Sequence, residues 1–198
     1  MKIRSTSIAA LAAIPLALTG CAAAPPQAAP NPQAAAPSPE GVAWVGRLCG
    51  LVSGFSAAQQ QLPGVDRTNT STLKKTVVDR IDSAARTADD TVRGLQGLGT
   101  PPIKGADQVN SGFQQGFTEV RDILRTAGDQ AKQVDPTDQQ RFQAGMAGVQ
   151  QQLQKGSQLN LKDKFVQLEQ NKELNTAAHQ APECKPFFAP PQQPQSPR

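Results

Sequence analysis

The feature that most limits what this chain can fold into is a sustained three- and four-residue spacing of apolar side chains from Val45 to Leu174, framed on both sides by proline-rich sequence. That spacing is the period of an α-helix. No run alternates apolar and polar residues between hairpin turns, so a sheet has nothing to build on. A first helix is expected from about Gly41 to Leu62, with Val45, Leu48, Val52 and Phe55 on one face and Pro63-Gly64 as its stop. Thr70-Ser71-Thr72 can cap a second helix carrying Leu73, Val77, Ile81, Ala84, Ala88, Val92 and Leu95, which ends between Gly97 and Pro102. A third is expected from about Lys104 to Val134, with Val109, Phe113, Phe117, Val120 and Leu124 inward. Asp135-Pro136 resets the chain, because proline fits a first helical turn but not an interior. Phe142, Met146, Val149 and Leu153 mark a fourth helix, which Gly156-Ser157 is expected to break. Leu161, Phe165, Leu168 and Leu174 then make a fifth helix or a kinked continuation.

Amphipathic helices joined by short connections bury their stripes against one another. The expected fold is therefore all-α, an antiparallel bundle of four or five helices over residues 41–188, with disordered flanks. Aromatic residues make up only 4% of the chain, with no Tyr, so the core is mostly aliphatic and alanine and depends on close helix approach. Gly46, Gly50 and Gly54 recur every four residues and would allow that approach. A membrane span over the same stretch is disfavoured by Arg47, by Gln59 to Gln61 and by the glycine content itself.

Residues 21–40 are almost wholly Ala, Pro, Gln, Asn and Ser beyond the first cysteine, and read as an extended tether. At ~3.1 Å per residue in a polyproline conformation it could hold a domain tens of ångströms from its attachment point. Residues 189–198 are a second proline- and glutamine-rich tail, expected to be disordered for the same reason.

The chain opens with Lys2 and Arg4, continues with an apolar run from Ile8 to Leu18 and closes with Leu18-Thr19-Gly20-Cys21. The run is shorter than the ~20 residues that span a bilayer, which fits a segment to be removed. In these features residues 1–20 followed by Cys21 resemble the signal peptide and lipobox of bacterial lipoprotein precursors, of actinobacterial type. The resemblance implies cleavage before Cys21 and a diacylglyceryl group on its thiol; in that family the new amine is often, but not always, acylated as well. It implies attachment to the extracytoplasmic face of the cell membrane through that lipid, since two or three acyl chains anchor where one does so only marginally. Removing Lys2 and Arg4, and no acid, lowers the formal net charge from +4 to +2. So slight a balance lacks the dense basic footprint of a nucleic-acid partner.

With Cys21 acylated, Cys49 and Cys184 remain as the one pair in an oxidising compartment. A disulfide between them would pin Pro182 to Phe188 onto the first helix. A metal site is disfavoured because two cysteines without a neighbouring His or Cys fall short of a tetrahedral ligand set, and an extracytoplasmic thiol does not stay free.

Nothing in the sequence names a reaction, cofactor or metal. His179 is the one histidine, so no His-based triad can be assembled. Asp79, Asp82, Asp89, Asp90, Glu119 and Asp122 fall at helix-surface spacing and read as solvated faces. Asn69-Thr70-Ser71 matches a glycosylation sequon but reads as a loop and helix cap. Trp44-Val45-Gly46 is similar to the W-x-G of small secreted helical-hairpin proteins, but there the motif sits in an interhelical turn. Here it opens the first helix, where Trp44 reads as an aromatic plug at one end of the fold. The expected role is binding: a protein or cell-wall interaction module presenting polar faces such as Gln150-Gln151-Gln152 and Gln154. The alternative is a carrier of an apolar small molecule, in a cavity lined by Gly46, Gly50, Gly112 and Gly116 between the first and third helices.

Overall fold

The computed structural model describes residues 36–159 and 161–188. The expected signal segment, Cys21, the expected tether through residue 35 and residues 189–198 lie outside the described residues. Among those described the chain is helical, with no strand. The elements are α1 (Pro39–Gln60), α2 (Thr70–Gln96), α3 (Ala106–Gln133), α4 (Gln139–Ser157), α5 (Lys162–Gln170), α6 (Lys172–Gln180), a 3-10 turn (Pro182–Cys184) and α7 (Lys185–Phe188).

Helix starts follow side-chain chemistry. Ser38 caps α1, its hydroxyl accepting from Gly41 N, and Pro39 takes the first helical position, where its missing N–H costs nothing. The helix thus begins two residues before the Gly41 boundary, and residues 39 and 40 belong to it and not to the tether. α1 stops at Gln60, just short of Leu62 and the proline beyond it. Asn69, not the threonines after it, caps α2 by accepting from Thr72 N, which makes the sequon asparagine a structural cap. Gly105, at φ 82°, turns the chain into α3 two residues later than Lys104.

The C-terminal stretch departs most from its reading in sequence. α4 runs through Gly156 to Ser157, since a glycine within a helix weakens it without ending it. The expected fifth helix is two: Asn171 leaves the helical region at ψ 108°, and its carboxamide oxygen accepts from Glu173 N and Leu174 N to cap α6. Its Nδ2 donates to Lys104 O at 2.8 Å, so a link to the α2–α3 connection fixes the break.

α2 and α3 form a long hairpin and carry the largest interhelical interface. At the connection end Asn110 Nδ2 donates to Leu95 O at 3.1 Å; at the other end Thr70 Oγ1 donates to Pro136 O at 2.7 Å. α1 runs alongside the connection half of α2: Gly41 lies under Ile103, Leu51 packs on Gly94, and Arg80 reaches back to Leu62 O and Pro63 O. α4 covers the other half of α3. α5 continues toward the connection, where Leu161 lies on Gly116, Lys164 on Gly112 and Phe165 against Phe113.

Two apolar clusters result. The larger holds Trp44, Leu48, Leu95, Ile103, Phe113, Phe117, Leu168 and Leu174, each no more than 2% exposed. The smaller lies between the free half of the hairpin and α4, around Ile81, Ala127, Ala131, Val134, Phe142 and Val149. Val120 and Leu124, expected inward on the third helix, are half-buried. Among the described residues α1 is long and apolar enough to cross a membrane by length and composition. Its Trp44, Val45, Leu48, Cys49 and Val52 are buried in the larger cluster.

Candidate functional site

Cys49 sits mid-way along α1 and Cys184 closes the 3-10 turn. Their sulfurs stand 2.09 Å apart and their Cα atoms 5.0 Å apart, across 135 residues of sequence. Both are buried, at 1% and 0% exposure. The approach is made possible by Gly46, one turn before Cys49, and by Gly50 next to it: a Cβ on Gly46 would lie 2.7 Å from the Glu183 carboxylate, and Gly50 also faces the Glu183 side chain. α6 and the turn thereby cover α1, and the segment beyond Cys184 is held by its rings. Phe187 lies 4.5 Å from Phe165, and Phe188 stacks on His179 at 4.3 Å. Cys21, the expected lipidation site, falls outside the described residues.

The glycines expected to line a cavity between the first and third helices do not face one another across such a space. Gly46 and Gly50 face Glu183, whereas Gly112 and Gly116 face Lys164 and Leu161 of the α5 segment. Each pair is filled by a different part of the C-terminal chain, because small residues on packed helices admit the neighbour that comes closest. The space left beside Gly46 and Gly50 is an open groove of about 750 Å³ that also exposes Arg47, Gln180 and Glu183.

The helix-surface carboxylates form an ion-pair strip along the hairpin. Asp89 is its centre, pairing with Arg93 at 2.5 Å on its own helix and reaching Arg125 at 3.3 Å and Arg121 at 3.4 Å across the interface. Asp82 pairs with Lys132 at 3.1 Å. The Asp122 hydrogen bond, with Asp89 beside it, raises the Arg121 guanidinium above its ordinary value, and Asp82 does the same for the Lys132 ammonium. In the two loops, Thr68 and Thr137 each donate a hydroxyl and a backbone N–H to the carboxylate two residues earlier, holding Asp66 and Asp135 below the usual range. These contacts join helices and close turns. Among the described residues no cluster of His, Cys, Asp or Glu has the make-up of a metal site.

Two grooves open at the end of the hairpin remote from α1's first residue. One, of about 630 Å³, runs between α3 and α4 and is lined by Gln130, Gln133, Gln151, Gln152, Arg141 and Lys155 among others. It includes part of the glutamine surface anticipated from Gln150 to Gln154. The other, of about 570 Å³, is apolar and lies between α4 and the start of α2. Sequence reasoning missed it, because it depends on where α1 stops and which way the 61–69 connection runs. No known protein family, curated protein or solved structure matches this chain.

Proposed function

We propose that the protein is a lipoprotein of the cell envelope, held by acyl groups on Cys21 at the extracytoplasmic face of the membrane, whose helical domain binds a protein or a cell-wall component. The observation that carries this reading is Leu18-Thr19-Gly20-Cys21 behind a short apolar run, followed by a helical domain whose grooves lie open on its surface. The chain enters the domain at Ser38, beside the α2–α3 connection, while both remote grooves open at the opposite end of the hairpin.

The domain is best read as an antiparallel bundle whose fourth member is broken into α4 and α5, with α6 and the Cys49–Cys184 bridge as a clamp over α1. The large side chains at its connection end pack against one another, which favours surface binding over carriage of an apolar molecule inside. The test is fractionation and acyl labelling of the full precursor in a bacterium that processes lipoproteins. The native chain is expected in the membrane fraction and labelled by radioactive palmitate; Cys21→Ala is expected to lose the label and leave the membrane or accumulate uncleaved. A Cys21→Ala chain that still fractionates and labels as the native one does sinks the anchoring claim.

A further inference from the structure

We propose that the apolar trough between α4 and the 61–69 connection receives a short amphipathic helix of a partner protein, one bearing a carboxylate beside its apolar face. The proposal rests on the binding-module reading and gives it a site and a ligand class.

The trough continues the slot that α1 fills. From Gly41 to Gln60, α1 lies along the α2–α3 connection and then α2, from Ile103 back toward Arg80. Beyond Gln60 the helix is replaced by the narrower connection 61–69, which runs down α2 to the Asn69 cap, with Thr76 Oγ1 donating to Asp66 O at 3.4 Å. Where α1 would have continued, Leu73, Val77, Met146 and Leu153 are left half-buried over Phe142 and Val149. α2 and α4 both pack on α3 and far less on each other, so the trough stays open between them. From Phe142 to Leu153 its α4 wall is about 17 Å long, the length of a three-turn helix.

The partner's secondary structure follows from the walls. They are helix faces and a loop lined by side chains, with no strand edge to pair with an extended peptide, so apolar side chains at i, i+3, i+4 and i+7 are what can interdigitate. Its charge follows from Arg67, the single charged residue lining the trough and without an ion-pair partner among the described residues. The neighbouring Asp66 carboxylate is already taken up by Thr68. A protein helix is favoured over the lipid surface because the trough is a groove walled by α4 on one side and by Val65, Arg67, Leu73 and Val77 on the other, which suits one inserted helix better than a broad bilayer face.

Site-specific photocrosslinking of the full lipoprotein in intact envelopes tests this. The photoreactive residue p-benzoylphenylalanine is placed at Met146 in the trough, at Gln151 in the glutamine-lined groove, or at Gln108 near Ser38's end of the hairpin. The expected result is a discrete protein adduct from position 146, absent from 108, that falls at least tenfold when Arg67→Glu is added. Sequencing of the attached peptide should show a helical apolar stripe with an Asp or Glu beside it. Circular dichroism of Arg67→Glu, an exposed-site change, should match the parent. No adduct at 146, an adduct of lipid or of a second copy of this chain, or an adduct indifferent to Arg67→Glu overturns the proposal. An adduct at 151 with none at 146 overturns it while leaving the binding-module reading standing; loss of the native chain from the membrane fraction overturns the anchoring instead.

Discussion

Glycine does two different things within these helices, and the space around each one gives the sign of its substitution. Gly54 and Gly148 lie within helices with nothing near enough to meet an added Cβ, so they contribute only the entropy that glycine loses on folding. Gly54→Ala and Gly148→Ala are each expected to raise stability by about 0.5–1 kcal/mol. Gly145 occupies the same helix as Gly148, yet its Cβ would lie 2.8 and 3.0 Å from the two γ-methyls of Val134. Val134 is only 7% exposed and is stiff about its first side-chain torsion, so it cannot step aside cheaply. Gly145→Ala should therefore cost about 1 kcal/mol despite its better helix propensity. Urea unfolding of the three variants checks the ordering; Gly145→Ala as stabilising as Gly148→Ala would show that Val134 yields.

At the level of elements, the C-terminal segment is a clamp whose hold on α1 depends on one covalent contact and a few rings. Replacing Cys49 and Cys184 together by Ser is expected to lower stability by a few kcal/mol, towards ~5 if the full loop-closure entropy is lost. Because α2, α3 and α4 bury their stripes without the clamp, far-UV circular dichroism should change little. Amide exchange should speed up across Lys172 to Phe188 while the α2–α3 interface keeps its protection. A uniform loss of protection would mean that the clamp is part of one cooperative unit.

The helices that the clamp covers were legible in sequence from their apolar period, and so was the cysteine pairing expected to hold it. The caps were less so: Ser38-Pro39 is a strong start signal, but it sits in a proline-rich run that reads as tether. Asn171 gave no sign of its role, because its break is fixed by the carbonyl of Lys104, 67 residues away. The glycine partners were unreadable for the same reason. Periodicity says which face of a helix is buried, not which neighbour buries it.

On the scale of the whole molecule, the hairpin of α2 and α3 spans two cores of unequal quality. The connection half is packed by α1, α5 and α6 around Trp44, Phe113 and Phe117, and is closed by the Cys49–Cys184 contact. The other half rests on α4 alone and includes Val149 as its one large side chain less than 2% exposed among the described residues. Leu73, Val77, Met146 and Leu153 on its open side still see solvent. Hydrophobic stabilisation scales with the apolar area removed from water, and local opening follows the weakest packing. Native-state hydrogen exchange should then be slowest from Thr91 to Leu95 and from Val109 to Phe117. It should be measurably faster from Leu73 to Val78 and along α4, although these residues belong to equally regular helices. Filling the open trough ought to remove the difference, so a bound partner would slow exchange in α4 and the first turns of α2 more than anywhere else. If α4 in the free protein is as protected as Val109 to Phe117, the two halves are energetically equal, and the remote end has no unmet packing for a partner to complete.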